Sequence, residues 1–411
     1  MSLEISAPDL VIVEHEFDVP LDHDDPSGQA ITVFAREVAE PGGRDRPVLV
    51  FLQGGPGHES PRPTSRPFSP RWLERALADF RVLFLDQRGT GRSTPIGVLP
   101  GLSAQAQADY LAHFRADSIV RDAEFIRTSM GLPPWSILGQ SFGGFCAVSY
   151  LSMAPDGLRE AFITGGLPPV DRHTDEMYAA TYDRILERNH RYYARYPGDR
   201  ATVHALHEHV DSTDVRLPDG DRLTSRRLRQ LGNLLGMSDG AERLHYLLEL
   251  PADSPAFLHD VSHALPYSRN PLYAAVHEAC AADGCATRWS ADRLLPSTFT
   301  DNRELFFGEH VFPWMFDDYG ALAPLRDAAN LLADREWPAL YDAEQLQANE
   351  VPAAAAVYVD DPYVELRFST ETAALIRGLR PWVTNEYEHN GLRADGGRIL
   401  DRLIGLARSP G

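Results

Sequence analysis

Cysteine is scarce in this chain of 411 residues, which carries only Cys146, Cys280 and Cys285. Thiols so few and so unevenly placed argue against a disulfide framework. Cys280 and Cys285 also lack the second pair that a structural zinc site would want. Basic charge is short as well, since 39 Lys and Arg stand against 59 Asp and Glu, a formal balance of −20. Non-specific nucleic-acid binding needs clustered cations facing phosphates, so that balance argues against it. Long apolar runs are missing too. No window reaches the length of a membrane span. The opening MSLEISAPDLVIVEHEFDVP shows no basic region followed by the roughly 7–15 apolar residues of a secretory signal. The expectation is a soluble cytoplasmic protein with reduced thiols and neither membrane nor nucleic acid as partner.

What is present is globular in proportion, with 43% hydrophobic and 24% charged residues. Short apolar runs rich in β-branched residues recur: LVIVEHEF (10–17), ITVFARE (31–37), PVLVFLQ (47–53), RVLFLDQ (81–87), WSILG (135–139) and EAFITGG (160–166). Several are continuous rather than alternating, as in strands buried on both faces of a mostly parallel sheet. Helical patterns lie between them, such as ADSIVRDAEFIRTSMG (116–131), where Ile119, Ala123, Ile126 and Met130 share a face. The first two strands have no such helix between them and suit an antiparallel hairpin leading into the sheet. Alternating strands and helices mean an α/β fold whose site lies at the strand carboxyl ends.

From about 168 to 320 the strand signal lapses. Helical segments such as TDEMYAATYDRILERNHRYYARYP (174–197) dominate, with Met177, Tyr178, Tyr182, Ile185 and Leu186 on one face. Strand patterns return at AAAAVYVDD (353–361) and WVTNEYEH (382–389), before a terminal helix GGRILDRLIGLAR. The expected organisation is a core in two parts, 1–167 and 321–411. A large helical cap, 168–320, is inserted after the sixth strand.

Gly139-Gln140-Ser141-Phe142-Gly143 fits the G-x-S-x-G pattern, with a strand pattern before it and a helix pattern after. A serine forced into so tight a turn needs neighbours without Cβ atoms, so that the backbone passes close and the hydroxyl stands clear of the sheet. The helix N-terminus behind it favours negative charge developing there. A nucleophilic serine needs a base, an orienting acid and an oxyanion hole, in the chain order Ser, Asp, His for this topology. Asp360 and Asp361 follow a strand, and Asp361 is preferred because Asp360 ends the strand while Pro362 fixes the turn behind Asp361. Of fifteen histidines, His389 alone sits at the later strand-to-loop junction. FLQGGPGHESP supplies glycines whose amides can point into a site. The amide of Gly55, or of Gly54, with that of Phe142 is the expected oxyanion hole.

Together QGGPG (53–57), DQRGTGRS (86–93), GQSFGG (139–144) and the closing Asp and His resemble the proline iminopeptidase, or prolyl aminopeptidase, family of α/β-hydrolases. One departure is Gln53, where the family usually has His before Gly-Gly-Pro-Gly. The resemblance implies release of N-terminal proline from small peptides through a prolyl-enzyme ester, with no metal or organic cofactor. It also implies cap carboxylates that hold the cationic amine. Glu278 and Glu309 are the expected carboxylates. Phe306, Phe307, Phe312, Trp314 and Phe316 around Glu309 suit either a slot for the proline ring or the packing of the cap. DQRGTGRS is expected to tie loops together near the site through Asp86 and Arg88. Two alternatives stay open: an esterase or amidase for small uncharged substrates on the same scaffold, and a non-catalytic ligand-binding relative.

Overall fold

The computed structural model describes residues 2–409. Nine strands form one sheet: β1 (Ser2–Ala7), β2 (Leu10–Pro20), β3 (Ala30–Ala39), β4 (Val48–Leu52), β5 (Arg81–Leu85), β6 (Trp135–Gln140), β7 (Leu158–Thr164), β8 (Ala353–Tyr358) and β9 (Leu379–Thr384). Their spatial order is β1-β2-β3-β5-β4-β6-β7-β8-β9. β1, β2, β3 and β5 pair antiparallel, whereas every pair from β5 across to β9 is parallel.

β4 shows why these residues make buried parallel strands. All five of its residues, Val-Leu-Val-Phe-Leu, are buried. Val48, Val50 and Leu52 join one apolar cluster, and Leu49 and Phe51 join the other across the sheet. A side chain of this size gains about 1.5–3 kcal/mol on leaving water, so both faces of the strand drive it inward. β8 repeats the division, with Ala353, Ala355 and Val357 on one face and Ala354, Ala356 and Tyr358 on the other.

Two expectations are corrected. β1 precedes the first expected strand, so the helical region follows the seventh strand of the sheet rather than the sixth. The last strand starts at Leu379, three residues before WVTNEYEH, because buried Leu379 pairs with Ala353. The strand ends at Thr384, so His389 lies in the loop beyond it.

Five helices matter here: α1 (Leu73–Asp79), α2 (Ala104–Leu111), α3 (Ala116–Ser129), α4 (Phe142–Met153) and α5 (Thr174–Arg195). Among the described residues no strand of the sheet lies between Thr164 and Ala353, and the chain there is a run of helices. α5 buries Met177, Tyr178, Tyr182 and Ile185, four of the five residues on its expected apolar face. Among the described residues no helix is long and apolar enough to cross a membrane.

β4 has β5 on one side and β6 on the other, so the chain leaves the sheet centre in opposite directions and a crevice opens at the carboxyl ends. DQRGTGRS braces that end. Asp86 Oδ1 accepts from the Ser60 amide at 3.1 Å and from Arg62 at 2.8 Å, and its Oδ2 accepts from the Arg92 amide at 3.0 Å. Buried Arg88 donates to Asp122 at 2.7 Å and to the carbonyls of Leu21 and His113, each at 2.8 Å.

Candidate active site

Ser141 stands between β6 and α4 with φ 55° and ψ −124°, a backbone state that side-chain-bearing residues rarely adopt. Such a state costs about 1–3 kcal/mol and persists only where the surroundings over-determine it. Here they do. A Cβ on Gly143 would overlap the carbonyl oxygen of Leu52 in β4, and one on Gly139 would overlap the carbonyl oxygen of Gly143. The Ser141 amide donates to Thr164 O at 3.0 Å, and its carbonyl accepts from Gly144 N at 2.7 Å. The glycines let α4 dock close to the sheet, and the dock holds the serine.

His389 Nε2 lies 2.9 Å from Ser141 Oγ, and His389 Nδ1 lies 2.7 Å from Asp361 Oδ2. Asp361 is 1% exposed, and its Oδ1 accepts from the amides of Tyr363 at 2.9 Å and Val364 at 3.1 Å. The carboxylate is thus fixed at both oxygens, one by the turn that follows it and one by the imidazole. Asp360 points elsewhere and pairs with Arg191 at 3.0 Å. The Tyr363 ring meets the imidazole edge-on at 4.9 Å, and the His389 amide donates to Gly236 O at 3.2 Å. Burial works to lower the His389 pKa. The charge and hydrogen bond of Asp361, with a further push from the Glu309 charge, outweigh burial and the opposing Arg393, leaving it above the ordinary histidine value.

Of the two glycines, Gly54 packs against the serine. A Cβ there would stand 2.8 Å from Ser141 Cβ, whereas one on Gly55 would meet His58 Nδ1 at 2.8 Å. Phe142 opens α4 directly behind Ser141. Gln53 accepts a hydrogen bond through its main-chain carbonyl, from Gln87 Nε2 at 3.1 Å. This loop contact uses no side-chain atom of the position where histidine was expected.

Ser141 and His389 open into a cleft of about 700 Å³ that Gly54, Gly55, Tyr273, Glu309 and Tyr363 also line. Glu309 is part-buried, and its Oε1 accepts from the Tyr273 hydroxyl at 2.5 Å. Glu278 is placed differently. It does not line the cleft, and its two oxygens accept from the amides of Ala291 at 2.9 Å and Ser290 at 3.1 Å, at the head of a short helix. Burial lifts the Glu278 pKa to about 7, against those hydrogen bonds. The side chain that the sequence paired with Glu309 therefore binds backbone inside the helical region.

Of the two readings open for the aromatics around Glu309, a slot or core packing, the structure shows packing. Phe306, Phe307, Phe312 and Phe316 are at most 3% exposed and belong to the apolar core, and neither they nor Trp314 line the cleft. The apolar wall comes instead from Phe51, Trp72, Leu234, Met237, Tyr273 and Tyr363. Tyr273 lies on the same short stretch of chain as Glu278 and Tyr363 follows Pro362 directly, so both stood near residues already singled out.

Residues 47–262 match the α/β hydrolase fold family. The chain is 48% identical to a proline iminopeptidase of Aeromonas sobria over 413 aligned residues, covering 96% of each chain. It is 34% identical to the proline iminopeptidase aneH of Aspergillus aculeatus, covering 96% of this chain and 93% of that one. A hydrolase from Rhodococcus sp. strain RHA1 of known structure covers 97% of the chain with a TM-score of 0.45 and 13% identity. With a relative this similar along nearly its whole length, the chain belongs to the proline iminopeptidase family of α/β-hydrolases.

Proposed function

We propose that the protein is a serine aminopeptidase that releases N-terminal proline from small peptides. The observation that carries the proposal is the unbroken hydrogen-bonded series Asp361, His389, Ser141, opening into the cleft that Glu309 lines. In this reading Ser141 Oγ attacks the carbonyl carbon of the first residue while its proton passes to His389 Nε2. The amides of Gly54 and Phe142 hold the oxyanion. The tetrahedral intermediate collapses with cleavage of the peptide C–N bond, and His389 delivers the proton to the departing amine. Water then attacks the prolyl ester as His389 takes its proton, the acyl–Oγ bond breaks with release of proline, and His389 returns the proton to Ser141 Oγ. No step draws on a metal or an organic cofactor.

Asp361 keeps the Nδ1 proton in place, so that Nε2 is the free acceptor, and it stabilises the imidazolium that forms. Glu309 holds the amine, because a prolyl nitrogen is cationic at neutral pH and its burial requires opposite charge. Tyr273 steadies that carboxylate. Glu278 takes no part in binding, and the helical region 168–320 acts as a cap over the core segments 1–167 and 321–411. Three free thiols support a reducing compartment, the cytoplasm.

The test is labelling with a fluorophosphonate followed by peptide mapping. The adduct is expected on Ser141, with loss of prolyl β-naphthylamide hydrolysis in step with labelling. A labelled protein that keeps full turnover, or an adduct on another serine, overturns the assignment.

A further inference from the structure

The cleft around Ser141 carries charge of both signs. Glu309 is the one carboxylate among its lining residues, yet Arg71, Arg243 and Arg393 line it as well. Arginines elsewhere in this acidic chain are mostly ion-paired, as in Arg75 with Asp401 and Arg398 with Glu386, close in sequence to the cleft residues. Among the described residues Arg71, Arg243 and Arg393 form no such pair.

Three separate elements bring them together. Arg71 precedes α1, and its Nη1 donates to Ala394 O at 3.4 Å, beside Arg393. Arg393 stands at the start of the terminal helix, its amide on Asn390 O at 2.8 Å. Arg243 lies on the helix Gly240–Leu248, which is drawn to the same turn because the amide and hydroxyl of Ser238 both donate to Asn390 Oδ1 at 2.9 Å. Beyond burial and Asp361, His389 feels Glu309 and Arg393 with opposite sign, so the reacting pair stands within reach of both charges.

We infer that this arginine rim receives the C-terminal carboxylate of the substrate, so that the site prefers short zwitterionic peptides. The inference rests on the aminopeptidase reading, in which Glu309 takes the free amine. A cleft of about 700 Å³ is the size that encloses a drug-sized ligand, which for a peptide is roughly two to four residues. Such a peptide carries its two charges at opposite ends, and a cleft that offers Glu309 to the amine and arginines to the carboxylate aligns it amine-first. The three arginines are exposed, so each contributes modestly, and the rim acts through salt-sensitive capture as well as through contact.

The test compares kcat/KM for prolyl-alanyl-glycine with that for its C-terminal amide at low ionic strength. Wild-type cleavage of prolyl β-naphthylamide serves as a separate check of the underlying activity. The free acid is expected to be favoured about tenfold, with the preference shrinking at about 0.5 M salt and falling to near one in R71Q/R243Q/R393Q. Arg243→Gln alone, at an exposed helix position, is expected to lower the preference part of the way if the triple variant does not fold. Equal turnover of acid and amide by wild type that cleaves prolyl β-naphthylamide overturns the rim assignment alone. So does a preference that survives the substitutions unchanged. No cleavage of any of the three substrates overturns the aminopeptidase reading beneath it.

Discussion

Replacing Asp361 by Asn changes one atom and reverses one hydrogen bond. Oδ1 of Asp361 accepts from two main-chain amides, at 2.9 and 3.1 Å. The oxygen of an Asn side chain must stay there, since an NH2 group facing two N–H donors would leave all three unpaired. The NH2 then faces His389 Nδ1, which sits 2.7 Å from the present Oδ2. Nδ1 becomes the acceptor, the ring proton moves to Nε2, and the nitrogen 2.9 Å from Ser141 Oγ can no longer take the serine's proton. In other serine hydrolases the corresponding change lowers kcat about 10⁴-fold, which at 1.36 kcal/mol per decade is roughly 5.4 kcal/mol of lost transition-state stabilisation. The assay is kcat/KM on prolyl β-naphthylamide across pH, with thermal unfolding as a control for the fold. In wild type, kcat/KM should rise with pH through an ionisation above the ordinary histidine value. His389 must be neutral to act, and Asp361 and Glu309 outweigh burial in holding its proton. A variant that folds normally and loses less than tenfold would refute the assignment of Asp361.

Glu309→Gln should lower kcat/KM for free-amine substrates by about 10–150-fold, the range of a charge-assisted hydrogen bond worth 1.5–3 kcal/mol. Kinetics on matched free and N-acetylated substrates would show this as a shrinking preference for the free amine. Glu278 should behave as a stability element. Its folded pKa is raised to about 7 by burial, so its favourable contribution is fully present below its unfolded value and fades as pH rises through 7. Melting temperature measured from pH 5 to 8 should therefore fall across that window, and Glu278→Gln should flatten the fall. Cys146 and Cys280 are buried while Cys285 is part-exposed. A small maleimide should therefore modify Cys285 alone in the native protein and leave prolyl β-naphthylamide turnover intact, as read by mass spectrometry beside the rate.

The parts of the site that were legible in the sequence are those fixed by local backbone demands. Gly139 and Gly143 mark the turn at Ser141 because a Cβ at either would overlap a carbonyl oxygen, and that constraint is written in adjacent positions. Asp361 and His389 follow β8 and β9, whose apolar patterns show through even though β9 begins three residues early. The strand β1 was not read because SLEISA lies at the sheet edge, has no continuous apolar run and carries its own charge. The helical region was legible as helix but not as surface. Whether Glu278 or Glu309 faces the cleft depends on how helices far apart in sequence pack. That packing turned Glu278 onto Ser290 and Ala291 and put the phenylalanines around Glu309 into the core. The arginine rim was hidden for the same reason. Arg71, Arg243 and Arg393 come from three elements, and their lack of carboxylate partners exists only in the folded chain.

The most direct test of the central claim is the ratio of kcat/KM for prolyl β-naphthylamide to that for N-acetyl-prolyl β-naphthylamide with the wild-type protein. Acetylation removes the cation without touching the scissile amide, so strong turnover of the first and none measurable of the second is the expected result. Comparable turnover of both, with Ser141→Ala inactive on each, would keep the serine machinery and contradict the aminopeptidase.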